Sequence, residues 1–224
     1  FTKLFEIVIQ VGAILAVVVL YWKKFFDKGL FNFYKKLVIA VIPALIAGYL
    51  FADSIDRLLE SPLTVGITLL LGGIVLLFVD KWFKKPVVHN EQQLNIFQAL
   101  RIGFWQCIAM IPGVSRSAAT IIGGMQQKLT RSFAAEFSFF LAVPTMAAAT
   151  GYKLLKAWKT NPEMLKDAHN LTVLMIGNIV AFVVAMIAIK TFITYLQKHG
   201  FKIFDVYRII VGIVIVILVW QHLL

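Results

Sequence analysis

Residues 171–189 read LTVLMIGNIVAFVVAMIAI, a run with no Asp, Glu, Lys or Arg. It has the length that crosses bilayer hydrocarbon as a helix, about 17 to 25 residues at about 1.5 Å rise. Water is absent at that depth, so the backbone must bond within the segment or within a closed barrel, and an unbroken apolar run lacks a barrel strand's alternation. Comparable runs occupy 7–22, 37–52, 62–79 and 209–224, and 133–152 is interrupted only by Glu136. The sequence therefore predicts an all-α integral membrane protein, a polytopic helical bundle forming one transmembrane domain over 1–224. Composition agrees: 60% of the 224 residues are hydrophobic and 15% charged, against about 45–50% and about 25% in soluble domains.

The formal charge is +11. The basic residues fall in short clusters between the apolar blocks, the pattern of membrane-flanking connections, so nucleic acid is excluded as a partner. Lys23, Lys24, Lys28, Lys35 and Lys36 sit in the first connection and Lys81, Lys84 and Lys85 in the third, whereas the second carries Asp53, Asp56 and Glu60 against Arg57. The alternation places the first and third connections in the cytoplasm and Phe1 outside. Lys153, Lys156, Lys159 and Lys166 in 153–170 run against that scheme. No basic n-region precedes the first block, so it is not a signal peptide, and the numbering is expected to begin inside a longer protein. One cysteine, Cys107, excludes a disulfide framework.

Residues 94–127 break the pattern. Two apolar arms, 94–111 and 118–125, flank PGVSRS at 112–117, and both outer flanks are basic, with Lys84 and Lys85 before and Lys128 and Arg131 after. The second arm is too short to cross, and like-charged flanks suit a segment that leaves by the face it entered. A re-entrant helix-turn-helix is expected, its turn lining a site, because irregular backbone at that depth must be buried or face a wet cavity. Pro112 and Gly113 are expected to stop the first arm, and Ser115 and Ser117 to cap the second. A helix N-terminus offers free N–H groups and the positive dipole end, and Arg116 adds a fork matched to phosphate oxygens. Thr120, three residues after Ser117, is expected to add its hydroxyl. Capping serines and a snorkelling arginine are the bland alternative, but a charge at a re-entrant tip is costly and usually functional. Arg101, in the first arm, reads equally well as pairing with a helix end.

Glu6 and Gln10, spaced i, i+4, head the first block, and Glu136 and Ser138 head the block at 133–152. Each acid reads either as dipole compensation or as site lining, and the parallel hints at a duplicated unit. His89, His169, His199 and His222 lie in connections or at the end, so a serine–histidine dyad and a buried histidine metal site lack their base. A Gly-Lys-Ser/Thr phosphate loop is missing.

PGVSRSAAT at 112–120, GGM at 123–125 and AEFSFFLAVP at 135–144 resemble the second signature region of the undecaprenyl-diphosphate phosphatase, or bacitracin-resistance protein, family. FEIVIQVG at 5–12 and AIKTF at 188–192 match it as well. The resemblance implies a bacterial inner-membrane phosphatase that converts undecaprenyl diphosphate to the monophosphate, recycling the carrier for cell-wall glycans and conferring bacitracin resistance. It implies two inverted repeats, each with a re-entrant hairpin, meeting in a site open to the outer face. Arg116 and Ser115 are then the expected catalytic residues, with Gly113, Ser117 and Thr120 binding substrate and Glu6, Gln10 and Glu136 supporting them. The family implies a divalent cation, Mg²⁺ or Ca²⁺, with its ligands unassigned. The family's first signature, two glutamates spaced i, i+4 and a Pro-x-Ser-Ser-x-Gly-His segment, lies ahead of the stretch matched by Phe5–Gly12, so the 224 residues alone are expected to be inactive. The expected partners are a polyprenyl diphosphate, membrane lipids and, as an alternative to a monomer, further copies of the chain. A transporter or flippase for a phosphorylated lipid or small anion is the competing reading, because broken helices around an intramembrane arginine also suit transport.

Overall fold

The computed structural model describes residues 2–25, 31–59, 61–160, 167–221 and 223. Its helices are α1 (Thr2–Val8), α2 (Gln10–Leu20), α3 (Trp22–Phe25), α4 (Phe31–Leu50), α5 (Ala52–Leu59), α6 (Pro62–Trp82), α7 (Ile96–Ile108), α8 (Arg116–Gln126), α9 (Arg131–Thr160), α10 (Ala168–His199) and α11 (Lys202–Trp220). Among the described residues there is no strand, only a bridge between Val88 and Leu129. The all-α class is as expected. Among the described residues five helices, α4, α6, α9, α10 and α11, are long and apolar enough to cross a membrane. On α10 the side chains of Ile176, Ile179, Val180, Val183, Val184 and Ile187 are all at least half exposed. Such a stripe at helical spacing is stable only against lipid or protein, so the chain is a multi-pass membrane protein.

The boundaries depart from the sequence reading: α4 starts at Phe31 rather than 37, α10 covers Ala168–His199 rather than 171–189, and three further differences bear on the packing. The block at 7–22 is divided between α1 and α2 at Ile9, and α2 has 11 residues, about 16 Å of helix. The basic stretch from Lys153 is not a connection, because α9 continues through Lys153, Lys156 and Lys159 to Thr160. Thirty residues make about 45 Å of helix against about 30 Å of hydrocarbon, so the last turns carry their lysines clear of the core. Finally α11 starts at Lys202 rather than 209 and takes in Asp205 and Arg208. Lys166 lies outside the described residues.

The chain divides into two compact units, one of residues 1–32 and 139–194, the other of 33–138 and 195–224. In the first unit Ala16, Val17 and Ile189 form a core with Phe139, Val143 and Phe182, and Val8 packs on Leu174. The break at Ile9 leaves helical backbone groups to be met from neighbours. The Thr150 hydroxyl donates to the Ile7 carbonyl at 3.3 Å, and the Gly12 N–H donates to Asn178 Oδ1 at 2.8 Å. Asn178 in turn donates Nδ2 to the Leu174 carbonyl, so this amide within a span is satisfied on both sides.

In the second unit α6 and α11 run antiparallel along a seam of small residues. A Cβ on Gly212 would lie 2.7 Å from Leu70 N and 2.9 Å from Gly66 O, and one on Gly73 would lie 2.9 Å from Asp205 O. Backbones can approach this closely only where a side chain is missing. Gly103 does the same for α7, bringing it against the α4 backbone at Ala40.

Candidate functional site

The arms of the helical hairpin are α7 and α8. Asn95 and Gln98 form a reciprocal capping box that starts α7. At the open end Gln98 Nε2 donates to the Gln127 carbonyl at 2.9 Å and Trp105 Nε1 to Gln126 Oε1 at 2.7 Å. Gly123 lets the arms touch, since a Cβ there would sit 2.6 Å from the Trp105 ring. Arms of 13 and 11 residues span about 20 and about 16 Å, so neither could cross hydrocarbon of about 30 Å.

The turn begins earlier than expected. The first arm ends at Ile108, Ala109 closes it, and Pro112 and Gly113 lie within the turn. Gly113 has φ +86°, and a Cβ there would strike the Thr68 hydroxyl and lie 2.7 Å from the Val65 carbonyl. Only glycine meets both conditions. Ser115 has φ +72° despite its side chain, a conformation held by its surroundings at a cost of order 1–3 kcal/mol. Its Oγ accepts from Ala118 N at 3.4 Å and lies 3.2 Å from Ser117 Oγ. Ser115 alone is the N-cap; Ser117 sits inside the first turn of α8, which corrects the expectation that both would cap.

Arg116 is the first residue of α8, and its Nη1 donates to the Ser138 carbonyl on α9 at 3.1 Å. The Thr120 hydroxyl is fully buried, 2.7 Å from Ser138 Oγ and 2.9 Å from the Arg116 carbonyl. Arg116, Ser115, Ser117 and Gly113 thus gather where the turn enters α8, while Thr120 faces α9 and ties the two helices together. The arrangement offers an anion a helix N-terminus, two hydroxyls and the guanidinium of the half-buried Arg116.

Two groups at this turn were passed over in the sequence. Arg208 on α11 is only 7% exposed and donates Nη2 to the Gly113 and Val114 carbonyls at 2.7 and 3.0 Å. On α6, the Thr68 hydroxyl lies within hydrogen-bond distance of the Pro112 carbonyl. The signal for Arg208 was present, an arginine six residues into a long apolar helix. Counting a charge as the edge of a span hid it. Thr68 carried no such signal, because threonine satisfies itself on any helix.

Of the remaining expected residues, Glu136 is half-buried on α9, two positions before Ser138. Glu6 is exposed on α1 and Gln10 half-buried on α2, both in the first unit. Arg101 is exposed and donates to Gln127 Oε1 at 3.2 Å, at the open end of the hairpin and away from the turn. A cavity of about 290 Å³ lined by Lys84, Met125, Leu129 and Arg131 also opens at that end. Among the described residues no three His, Cys, Asp or Glu side chains converge as a cation cage. The donors at the turn, hydroxyls and a guanidinium, do not fit a divalent ion by themselves.

Against known proteins, the family described as "Bacitracin resistance protein BacA" matches residues 1–214. An "Undecaprenyl-diphosphatase" of Flavobacterium johnsoniae is 57% identical over 219 residues, 97% of this chain and 81% of its own length. Proteins of the same name from Bdellovibrio bacteriovorus and Porphyromonas gingivalis W83 are 47% and 48% identical over 222 and 235 residues, each alignment covering 82% of the relative and 98% or 97% of this chain.

Proposed function

The chain belongs to the bacitracin resistance protein BacA family, and we propose that it is an undecaprenyl-diphosphatase, hydrolysing undecaprenyl diphosphate to undecaprenyl phosphate and inorganic phosphate. The observation that carries the reading is the turn at 113–117, which brings Arg116, Ser115 and Ser117 together at the N-terminus of α8. The competing reading, transport, finds no support in the names of the relatives.

Hydrolysis adds the oxygen of water to the terminal phosphorus and breaks its bond to the bridging oxygen, which leaves on the lipid phosphate. Negative charge gathers on the non-bridging oxygens and on the leaving oxygen. Arg116, anchored through Ser138, presents a guanidinium whose geometry matches two phosphate oxygens at once. Ser115 and Ser117 add hydroxyl donors, and the N-terminal turn of α8 contributes its dipole and N–H groups. Gly113, through its positive φ and its packing on Val65 and Thr68 of α6, lets the turn adopt the shape that presents the serines. Such preorganised donors accelerate by binding the charge of the transition state more tightly than that of the ground state. Glu136 is proposed to support this arrangement from α9. The cation expected of the family has no cage in the described residues, and no step is assigned to it. The isoprenoid tail would lie along exposed apolar helix faces of the kind seen on α10. The inner membrane, with the hairpin re-entrant and its tip toward the outer face, is the proposed setting; removal of the diphosphate there accords with a role in bacitracin resistance.

The test is phosphate release from undecaprenyl diphosphate in detergent by the full-length protein, with the family's first signature in place. Arg116→Ala should lower the rate by about 10²–10³-fold, the scale of losing one oxyanion donor, with the unfolding temperature near that of the parent. A folded Arg116→Ala variant within threefold of the parent would remove Arg116 from the reaction.

A further inference from the structure

Three successive carbonyls of the turn are approached by donors from outside the hairpin: Pro112 by the Thr68 hydroxyl on α6, which also lies 2.8 Å from the Thr64 carbonyl of its own helix, and Gly113 and Val114 by Arg208 on α11. The two bonds from Arg208 come from a single nitrogen, Nη2, at 2.7 and 3.0 Å. Space for that guanidinium is made at Gly72, where a Cβ would collide with Nη2 and lie 3.2 Å from Cζ. Arg208 Nε is buried with no hydrogen-bond partner. An arginine kept at a span interior with one donor unmet is expensive, and a packing role alone would be met better by an apolar side chain of that size.

Those three carbonyl oxygens carry partial negative charge beside a turn that is to receive a diphosphate. Left unheld, they would repel it. Drawn toward α6 and α11, they leave the substrate facing Arg116, the serine hydroxyls and the N–H end of α8. We propose that Arg208 is a positioning residue for phosphoryl transfer, fixing with Thr68 the carbonyls of the 112–114 turn so that the anion site at the head of α8 is preformed. The inference rests on the phosphatase reading.

It is tested in the full-length protein by phosphate release from undecaprenyl diphosphate in detergent, with kcat and KM measured separately for the parent, Arg208→Met, Arg208→Lys and Thr68→Val at a temperature where each is folded. Because one nitrogen makes both bonds, a lysine ammonium can replace it in part. Arg208→Met should lower kcat by about 100-fold with KM within about threefold, and Arg208→Lys should recover about tenfold of that loss. A purely structural arginine would shift the unfolding temperature and leave kcat per folded molecule unchanged. A folded Arg208→Met with kcat within threefold of the parent, or an Arg208→Lys as impaired as Arg208→Met, overturns the inference while the phosphatase reading stands. A full-length parent, with the family's first signature in place, that releases no phosphate overturns both. Should Arg208→Met not fold, Thr68→Val decides, with a kcat loss of about tenfold expected and an unchanged kcat against the inference.

Discussion

At Thr120 one hydroxyl joins two helices, lying 2.7 Å from Ser138 Oγ on α9 and 2.9 Å from the Arg116 carbonyl on its own helix, with no exposed surface. Replacement by the isosteric valine strands Ser138 Oγ, and a buried polar group without its partner costs about 1–3 kcal/mol. Thr120→Val should accordingly lower the unfolding free energy in detergent by about that amount, whereas Thr120→Ser, which keeps the hydroxyl, should lose less than about half as much; equal losses would locate the effect in the methyl group instead. This residue also marks how far a sequence can be read. PGVSRSAAT contains the groups that the hairpin itself brings to the turn, and Arg116, Ser115, Ser117 and Gly113 are legible because residue type and order alone give a turn followed by a helix N-terminus. Thr120 differs because hydroxyls four residues along a helix can return to the backbone or cross to a neighbour. Only the position of Ser138 decides, and that is a tertiary fact. Arg208 was legible in principle, since charge inside an apolar helix is rare; its partners, carbonyls 95 and 94 positions away, were not.

The elements were legible to the degree that apolar length decides them. The blocks that became α4, α6, α9, α10 and α11 needed only the absence of charge over a bilayer's thickness. The break at Ile9 could not be seen in an unbroken apolar run, because it depends on Asn178 and Thr150 supplying the partners that the helix gives up. The α6–α11 seam lies between these cases: its glycines are visible in the sequence, yet their facing residues are not. A methyl at Gly212 would meet backbone at 2.7 and 2.9 Å, whereas one at Gly151 on α9 meets nothing within 4 Å. Backbone cannot swing aside as a side chain can. Gly212→Ala should therefore destabilise the protein by about 1–3 kcal/mol, the usual cost of overpacking, while Gly151→Ala should stabilise it by up to about 1 kcal/mol through helix propensity. Thermal unfolding of both variants in one detergent checks the pair, and a Gly212→Ala as stable as Gly151→Ala would mean the seam opens without cost.

For the whole molecule the charge pattern is the argument for the proposed orientation, and the second unit carries that argument by itself. Lys35 and Lys36 stand near the start of α4, Lys84 and Lys85 follow the end of α6, Lys128 and Arg131 lie between the hairpin and α9, and Lys198 and Lys202 flank the start of α11. The far end of α4 leads instead to Asp53, Asp56 and Arg57. Lysine and arginine are retained on the cytoplasmic side, so the proposed orientation puts each of these basic ends there and the connection between α4 and α6 outside. The hairpin arms then rise from the basic face, and the turn at 109–115 lies about 16 to 20 Å from it along helices of 11 and 13 residues. In the proposed setting that depth would put Arg116 past the midplane of about 30 Å of hydrocarbon, nearer the outer face, where a diphosphate at the external surface could reach it. In a chain with Cys107→Ser as background, Ser54→Cys should react with a membrane-impermeant maleimide in intact cells, and Lys85→Cys should react only once the membrane is permeabilised. Both positions are exposed on the protein, so the difference reports the membrane alone. The opposite labelling would turn the bundle over and place the mouth of the Arg116 site toward the cytoplasm, where the diphosphate carrier would have to be met from the inner leaflet.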